Sequence, residues 1–406
     1  MPALTDLPTE LLLLIIESFS RSRDVRSLSQ VNQGLRAIVH DHDLVNKTKY
    51  RGIYITFGEG ILHTTNRVLT ILRFPQLCNY ARHIEIGYTA CCSRTDQQRS
   101  GLNQADMERL REIAAKSGFT PANQQKLINM AFYVSGDSFT LQALLRQANT
   151  ANITRNSPYL GRLKYFCIIA GNIWYDPAPA ITHLLLMNLV HTLPSIQSFH
   201  MEAADKNGSV PRQLLEPASS NISSITVIEP KFRVDVLCEM IAATKCLREV
   251  RYTVDPAGER IIYQEDEIQR LMNALLHHRA TLETLDLSFR CNCCILRVHC
   301  LMECLSWDHT PGYILPSGSL EDFTALRSLS LEANCLWYFA NDPKPVTCLV
   351  SLFDHLPSQL EYLCIKALDP AHNKIAGVEA ARERLSKLKT VKGLNGWIPS
   401  RDRSYG

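Results

Sequence analysis

Six side chains within a short stretch could hold a metal ion: Cys291, Cys293, Cys294, His299, Cys300 and Cys304. Thiolate sulfur and imidazole nitrogen are ligands that zinc favours, and Cys300 and Cys304 would share one face of a helix. The spacing lacks the paired Cys-x-x-Cys of a zinc site, and the adjacent Cys293 and Cys294 cannot easily both turn toward one ion. Cysteine is also among the most commonly buried small residues, and this stretch follows a strongly apolar strand pattern. Core thiols are therefore the expectation, with no metal and no cofactor.

A second group could do acyl-transfer chemistry. Gly136-Asp137-Ser138-Phe139 and Asp369-x-x-His372 imitate blocks of serine hydrolases of the GDSL type. Such an enzyme needs its serine at a strand end, beside oxyanion donors, with a histidine oriented by a carboxylate. Here the serine lies deep in the chain, and the glycine and asparagine blocks that would supply those donors are not evident. Chance recurrence of short motifs accounts for the match, and no P-loop, dinucleotide fingerprint or zincin helix accompanies it. The chain is expected not to be an enzyme.

Bulk composition narrows the partners. The 406 residues are 46% hydrophobic and 20% charged, with 43 Lys+Arg against 40 Asp+Glu for a net +3. So small an imbalance argues for neither a nucleic-acid groove nor an anionic membrane surface. The longest aliphatic run, Leu11–Ile16, is far short of the roughly 20 residues that span a bilayer. Asp6 and Glu10 precede that run and no Lys or Arg does, the reverse of a signal peptide, so a reducing compartment, cytoplasm or nucleus, is expected for the 14 cysteines.

The elements that would carry a function begin at the N-terminus. Residues 4–45 predict three short helices. Pro8 suits a first helical turn, and the first helix, running to about Phe19, is apolar all round at Leu11–Ile16, so it must be covered on more than one side. Asp24 opens a second helix with Val25, Leu28 and Val31, ended by Asn32 and Gly34, and a third carries Leu35, Ile38 and Val39. So small a unit with surplus apolar surface must dock on another domain or protein.

Leu7-Pro8-x-Glu10-Leu11-Leu12-x-x-Ile15-Ile16, then Asp24-Val25-x-x-Leu28, then Val31-Asn32-x-x-Leu35-Arg36-x-x-Val39 resembles the F-box motif. The aromatic that often follows the third helix is replaced by Leu44-Val45. The resemblance implies binding of a Skp-family adaptor and, through it, membership of a cullin–RING ubiquitin ligase. It also implies adaptor contacts at Leu7, Pro8, Leu11, Leu12, Ile15, Ile16, Val25, Leu28 and Val31. Which of these instead fill the unit's own core stays open at this level.

Beyond residue 50 a pattern recurs in which an apolar residue is followed at +3 and +5 by two more. It appears at Leu163/Phe166/Ile168, Ile196/Phe199/Met201, Ile222/Ile225/Val227 and Leu247/Val250/Tyr252, and most strongly at Leu282/Leu285/Leu287, Leu326/Leu329/Leu331 and Leu360/Leu363/Ile365. Weaker members are Ile53-x-Ile55, Ile84-x-Ile86 and Leu388-x-x-Val391. Helices are predicted between them at Ile181–Leu193, Val234–Thr244, Glu265–Leu282, Val346–Leu356 and Val378–Leu388. A strand followed by a helix at such intervals is the signature of leucine-rich repeats, although several units are long and most lack the consensus asparagine. With the F-box start, Tyr50–Phe57 and Ala81–Gly87 resemble fungal F-box proteins with divergent leucine-rich regions.

The expected fold is thus α/β: a three-helix F-box over 1–48, then an irregular leucine-rich-repeat-like solenoid over 49–399. Cys91–Lys126 is a polar insertion with one helix at Gln104–Lys116, and 400–406 a tail. Strand alternation points Tyr165, Cys167, His200, Thr226, Arg251, Asp286, Ser330, Tyr362 and Lys366 outward in a row. Of these, Tyr165, His200, Arg251, Asp286, Tyr362 and Lys366 are the substrate-contact candidates. Mixed in sign, they suit a protein segment better than a single anionic ligand, which would want clustered Arg and Lys. The implied role is substrate recognition for a ubiquitin ligase; a non-ligase scaffold is the alternative.

Overall fold

The computed structural model describes residues 7–8, 11–12, 15–16, 27–31, 33–39, 49–57, 70–71, 74–88, 108, 112, 160–170, 187–188, 190–202, 215–228, 234–254, 265–288, 319–332, 355–366 and 385–392. The 291–304 cysteine cluster, Ser138, Asp369, His372, Val25 and the tail lie outside them, as does the 91–126 segment apart from Glu108 and Glu112, both helical within the expected helix.

The chain is an α/β protein whose ten strands are hydrogen-bonded in chain order. Each pair with a described register is parallel. Parallel neighbours need a crossover between them, which is why the strand motifs are separated by helix-length spacers. Contacts divide the chain into two compact units, Met1–His200 and Met201–Gly406.

The first unit holds β1 (Gly52–Phe57), β2 (His83–Tyr88), β3 (Tyr165–Ala170) and the start of β4 (Ser198–Glu202). Ile53 and Ile55 stand in register with Ile84 and Ile86, and these with Phe166 and Ile168, all buried. The rings of Phe166 and Phe199 stack at 6.0 Å. The N-terminal region contributes helical residues at 11–12, 15–16 and 27–28 and the helix α1 (Gln33–Val39). Gly34 therefore lies inside the third helix rather than beyond the second.

The second unit holds β5 (Ser224–Ile228), α2 (Val234–Ala243), β6 (Glu249–Thr253), α3 (Glu265–Leu276), β7 (Thr284–Ser288), β8 (Ser328–Glu332), β9 (Tyr362–Lys366) and β10 (Thr390–Lys392). In α2, Val234, Leu237 and Ile241 recur at helical spacing and, with Val236, Met240 and Ala243, are buried. Its neighbour α3 buries Leu271, Met272 and Leu275, and Arg270 pairs with Asp235 between the two helices. The helix expected over Glu265–Leu282 stops at Leu276, because His278–Leu282 turn the chain into β7.

Burial alternates along the strands: β4, β5 and β9 each run half-buried, buried, half-buried, buried, half-buried. A parallel sheet covered by helices on both faces would bury every position. Here one face carries the core and the other stays partly open among the described residues.

One backbone motif repeats at the start of the strands. The carbonyl of Arg248 accepts the N–H groups of both Glu283 (2.8 Å) and Thr284 (2.9 Å); Glu283 does the same for Arg327 and Ser328, and Arg327 for Glu361 and Tyr362. In the first unit Arg51 accepts from Arg82 and His83, and Arg82 from Lys164 and Tyr165. This shared bend brings the residue just before each strand beside its counterpart on the next.

Candidate functional site

Two surfaces hold the residues singled out from sequence. On the N-terminal helical region, Pro8 starts a helical turn: its carbonyl accepts from Leu11 N at 3.0 Å and Leu12 N at 3.1 Å. Four-residue spacing then separates two faces. Leu12 and Ile16 are buried, as is Leu35 of α1, whereas Leu11 is 45% exposed and Val31 67% exposed. Leu7, Ile15 and Leu28 are half-buried and Pro8 is exposed. The eight described residues of the candidate contact set therefore divide, with Leu12 and Ile16 buried and Leu11 and Val31 at the surface.

The second surface is the open face of the sheet. Register resolves the single row expected from alternation into three. Thr226, Arg251, Asp286, Ser330 and Cys364 are true neighbours across β5–β9. Tyr362 stands one step earlier, aligned with Ser328, Thr284, Glu249 and Ser224, and Lys366 one step later, opposite Glu332. The one-row expectation failed because Tyr362 and Lys366 flank the central position of β9 by two residues each, and alternation cannot tell such positions apart.

Within this second unit the charges satisfy one another. Arg251 Nε donates to Glu249 Oε1 at 2.6 Å, and Lys366 Nζ reaches back across the sheet to Asp286 Oδ1 at 2.5 Å. Lys392 lies 5.7 Å above the Tyr362 ring. Burial pushes the Tyr362 phenol up, and the neighbouring Cys364 and Asp286 add to it. Just before the strands Arg248, Glu283, Arg327, Glu361 and Lys389 alternate in sign. Arg248 meets Glu283 at 3.5 Å, Arg327 meets Glu361 at 3.4 Å, and Lys389 meets Glu361 at 2.5 Å. The hydrogen bond from Lys389 holds the Glu361 carboxyl below the usual carboxylate range.

Tyr165 and His200 belong to the first unit. Tyr165 is 48% exposed and His200 half-buried. Around Tyr165 lie residues that the sequence reading passed over. The His83 ring sits 6.3 Å from Tyr165 and 5.7 Å from Tyr54, itself 50% exposed. Gly52 explains how Tyr54 joins them, since a Cβ there would lie 2.8 Å from Tyr54 Cε2. Tyr54 leans across the bare glycine toward the row of His83 and Tyr165. His83 Nε2 lies 3.3 Å from Glu85 Oε2. Aligning the strand motifs on their buried positions would have exposed this strip.

Among the described residues no group of three or more His, Cys, Asp or Glu side chains could hold a metal ion. Cys78, Cys167, Cys238, Cys246 and Cys364 are outside any disulfide. No described helix is long and apolar enough to cross a membrane. No family model matches the chain, and no curated protein matches it in sequence.

Proposed function

We propose that this chain is the substrate-recognition subunit of a Skp–cullin–F-box ubiquitin ligase, with residues 1–48 as an F-box and a divergent leucine-rich-repeat-like array beyond it. The observation that carries the reading is the pair Leu11 and Val31. Both are large apolar side chains left on the surface, at positions where the F-box resemblance puts adaptor contacts, while Leu12, Ile16 and Leu35 supply the core. Large apolar side chains exposed beside buried ones are what a docking module presents.

Parallel strands in chain order with one open face support the repeat-like reading of the rest, since each unit then buries its apolar face on its neighbours. Such an array offers a binding surface lined by its strands. Ubiquitin transfer would belong to the partners, in cytoplasm or nucleus, and this chain would contribute proximity.

The test is a double variant, Leu11→Asp with Val31→Asp, which places two charges at the proposed interface without touching the core. Co-purification of the Skp-family adaptor and the cullin should be lost while the melting temperature is unchanged. Retained adaptor in a folded double variant would end the proposal.

A further inference from the structure

The row before the strands behaves differently in the two units. In the second it reads Ser223, Arg248, Glu283, Arg327, Glu361, Lys389, and the charged neighbours neutralise each other through the contacts given above. In the first the equivalent positions, identified by the same shared carbonyl bend, are Arg51, Arg82, Lys164 and the neutral Gln197. Arg82 and Lys164 are thus cations side by side on adjacent strands, about 4.8 Å apart. Like charges side by side are unfavourable unless an anion lies between them. Among the described residues no carboxylate pairs with Arg82 or Lys164. Immediately beyond this row come exposed Tyr54 and Tyr165 with half-buried His83.

From this juxtaposition we propose that the strand-start margin of the first unit binds an acidic protein segment. One anionic side chain of that segment sits against Arg82 and Lys164, and an adjacent aromatic side chain lies on Tyr54, His83 and Tyr165. The proposal rests on the reading of the sheet as a recognition surface but not on the adaptor. A guanidinium and an ammonium on neighbouring strands can converge on one carboxylate or phosphate. Two tyrosines lose little conformational freedom when covered, so they bind aromatic side chains at low entropic cost. Both anion sources share this chemistry, and peptides tell them apart. Bulk charge conceals the site because 40 Asp+Glu across the chain nearly offset the 43 Lys+Arg.

The probes are labelled twelve-residue Gly/Ser peptides with a central Tyr-Glu-Glu, Tyr-phosphoSer-Glu or Tyr-Gln-Gln, titrated into the full chain. The Glu peptide should bind at least about tenfold more tightly than the Gln peptide, because hydrogen bonds to an ionised partner are stronger than those to a neutral amide. Preference for the phosphorylated peptide over the Glu peptide assigns phosphate as the source, and equal binding assigns carboxylate. Arg82→Glu with Lys164→Glu should reverse the preference, weakening the acidic peptides and admitting a Tyr-Lys-Lys peptide; such a gain cannot come from misfolding. Arg327→Ala in the second unit should change neither.

Equal binding of the Glu and Gln peptides would overturn the proposal. So would an equal loss in Arg327→Ala, or tighter binding of a twelve-nucleotide single-stranded DNA than of any peptide. Adaptor capture measured on the same variants should be unaffected, so failure here and failure of the ligase reading are separate results.

Discussion

His278 accepts the backbone N–H of Leu247 at Nδ1, 3.4 Å away, and so ties the turn after α3 to the residue that leads into β6. Its Nε2 lies 3.1 Å from both the Ile241 carbonyl and Thr244 Oγ1. Since Thr244 Oγ1 donates its own proton to Ile241 O at 2.7 Å, the neutral ring protonated at Nε2 satisfies every partner. A second proton on Nδ1 would face the Leu247 N–H. Burial, chiefly, pushes the His278 pKa below its ordinary 6.5; the Ile241 bond opposes the shift and His277 adds to it.

A base whose pKa is lowered on folding contributes stability that is complete above its unfolded pKa and is lost as pH falls below it. The denaturation midpoint of this chain should therefore decline from pH 7.5 to pH 5.5, starting near 6.5. His278→Gln should flatten that part of the profile. A slope of unchanged size in the variant would assign the pH dependence to other groups.

The division of the N-terminal apolar residues has a stability consequence. Leu12→Ala and Ile16→Ala remove fully packed side chains and should each cost about 2–5 kcal/mol. Val31→Ala, at an exposed position, should stay within about 0.5 kcal/mol. Urea unfolding of the three variants measures the contrast, and equal losses would mean that the two faces are not distinct.

The alternating row makes a salt-dependent prediction. Arg327→Glu places a third carboxylate between Glu283 and Glu361, where the strands bring them side by side. Exposed pairs are weak, so the melting temperature should fall by no more than about 2 °C at low salt. In 0.5 M NaCl the difference should largely vanish, because the screening length is then only a few ångströms. A drop independent of salt would point to lost packing of the arginine stem instead.

Much of the sheet was legible in the amino-acid order alone. Leu282, Leu285 and Leu287, with their equivalents, mark both the strands and their buried face, because alternation is a local property of an extended chain. Val234–Thr244 was readable as a helix for a similar reason: Val234, Leu237 and Ile241 fall on one helical face within ten residues of each other. The end of α3 was not, since His278 turns the chain there through partners at Ile241 and Thr244, more than thirty residues away.

Register was not legible from alternation within any single strand; it follows only when the buried motif positions of successive strands are set against one another. Tyr362, Arg251 and Lys366 all point to the open face by alternation, and alternation alone does not separate the three rows to which strand pairing assigns them. Pairing also set Arg82 beside Lys164 although some eighty residues separate them, and placed Arg327 beside Glu361. Composition sums all 43 Lys+Arg and 40 Asp+Glu to a net +3 and so carries no trace of either row. Local patterning determined which residues form strands and which side of each is buried; the tertiary structure decided which charges become neighbours, because that depends on hydrogen bonds between segments remote in the chain.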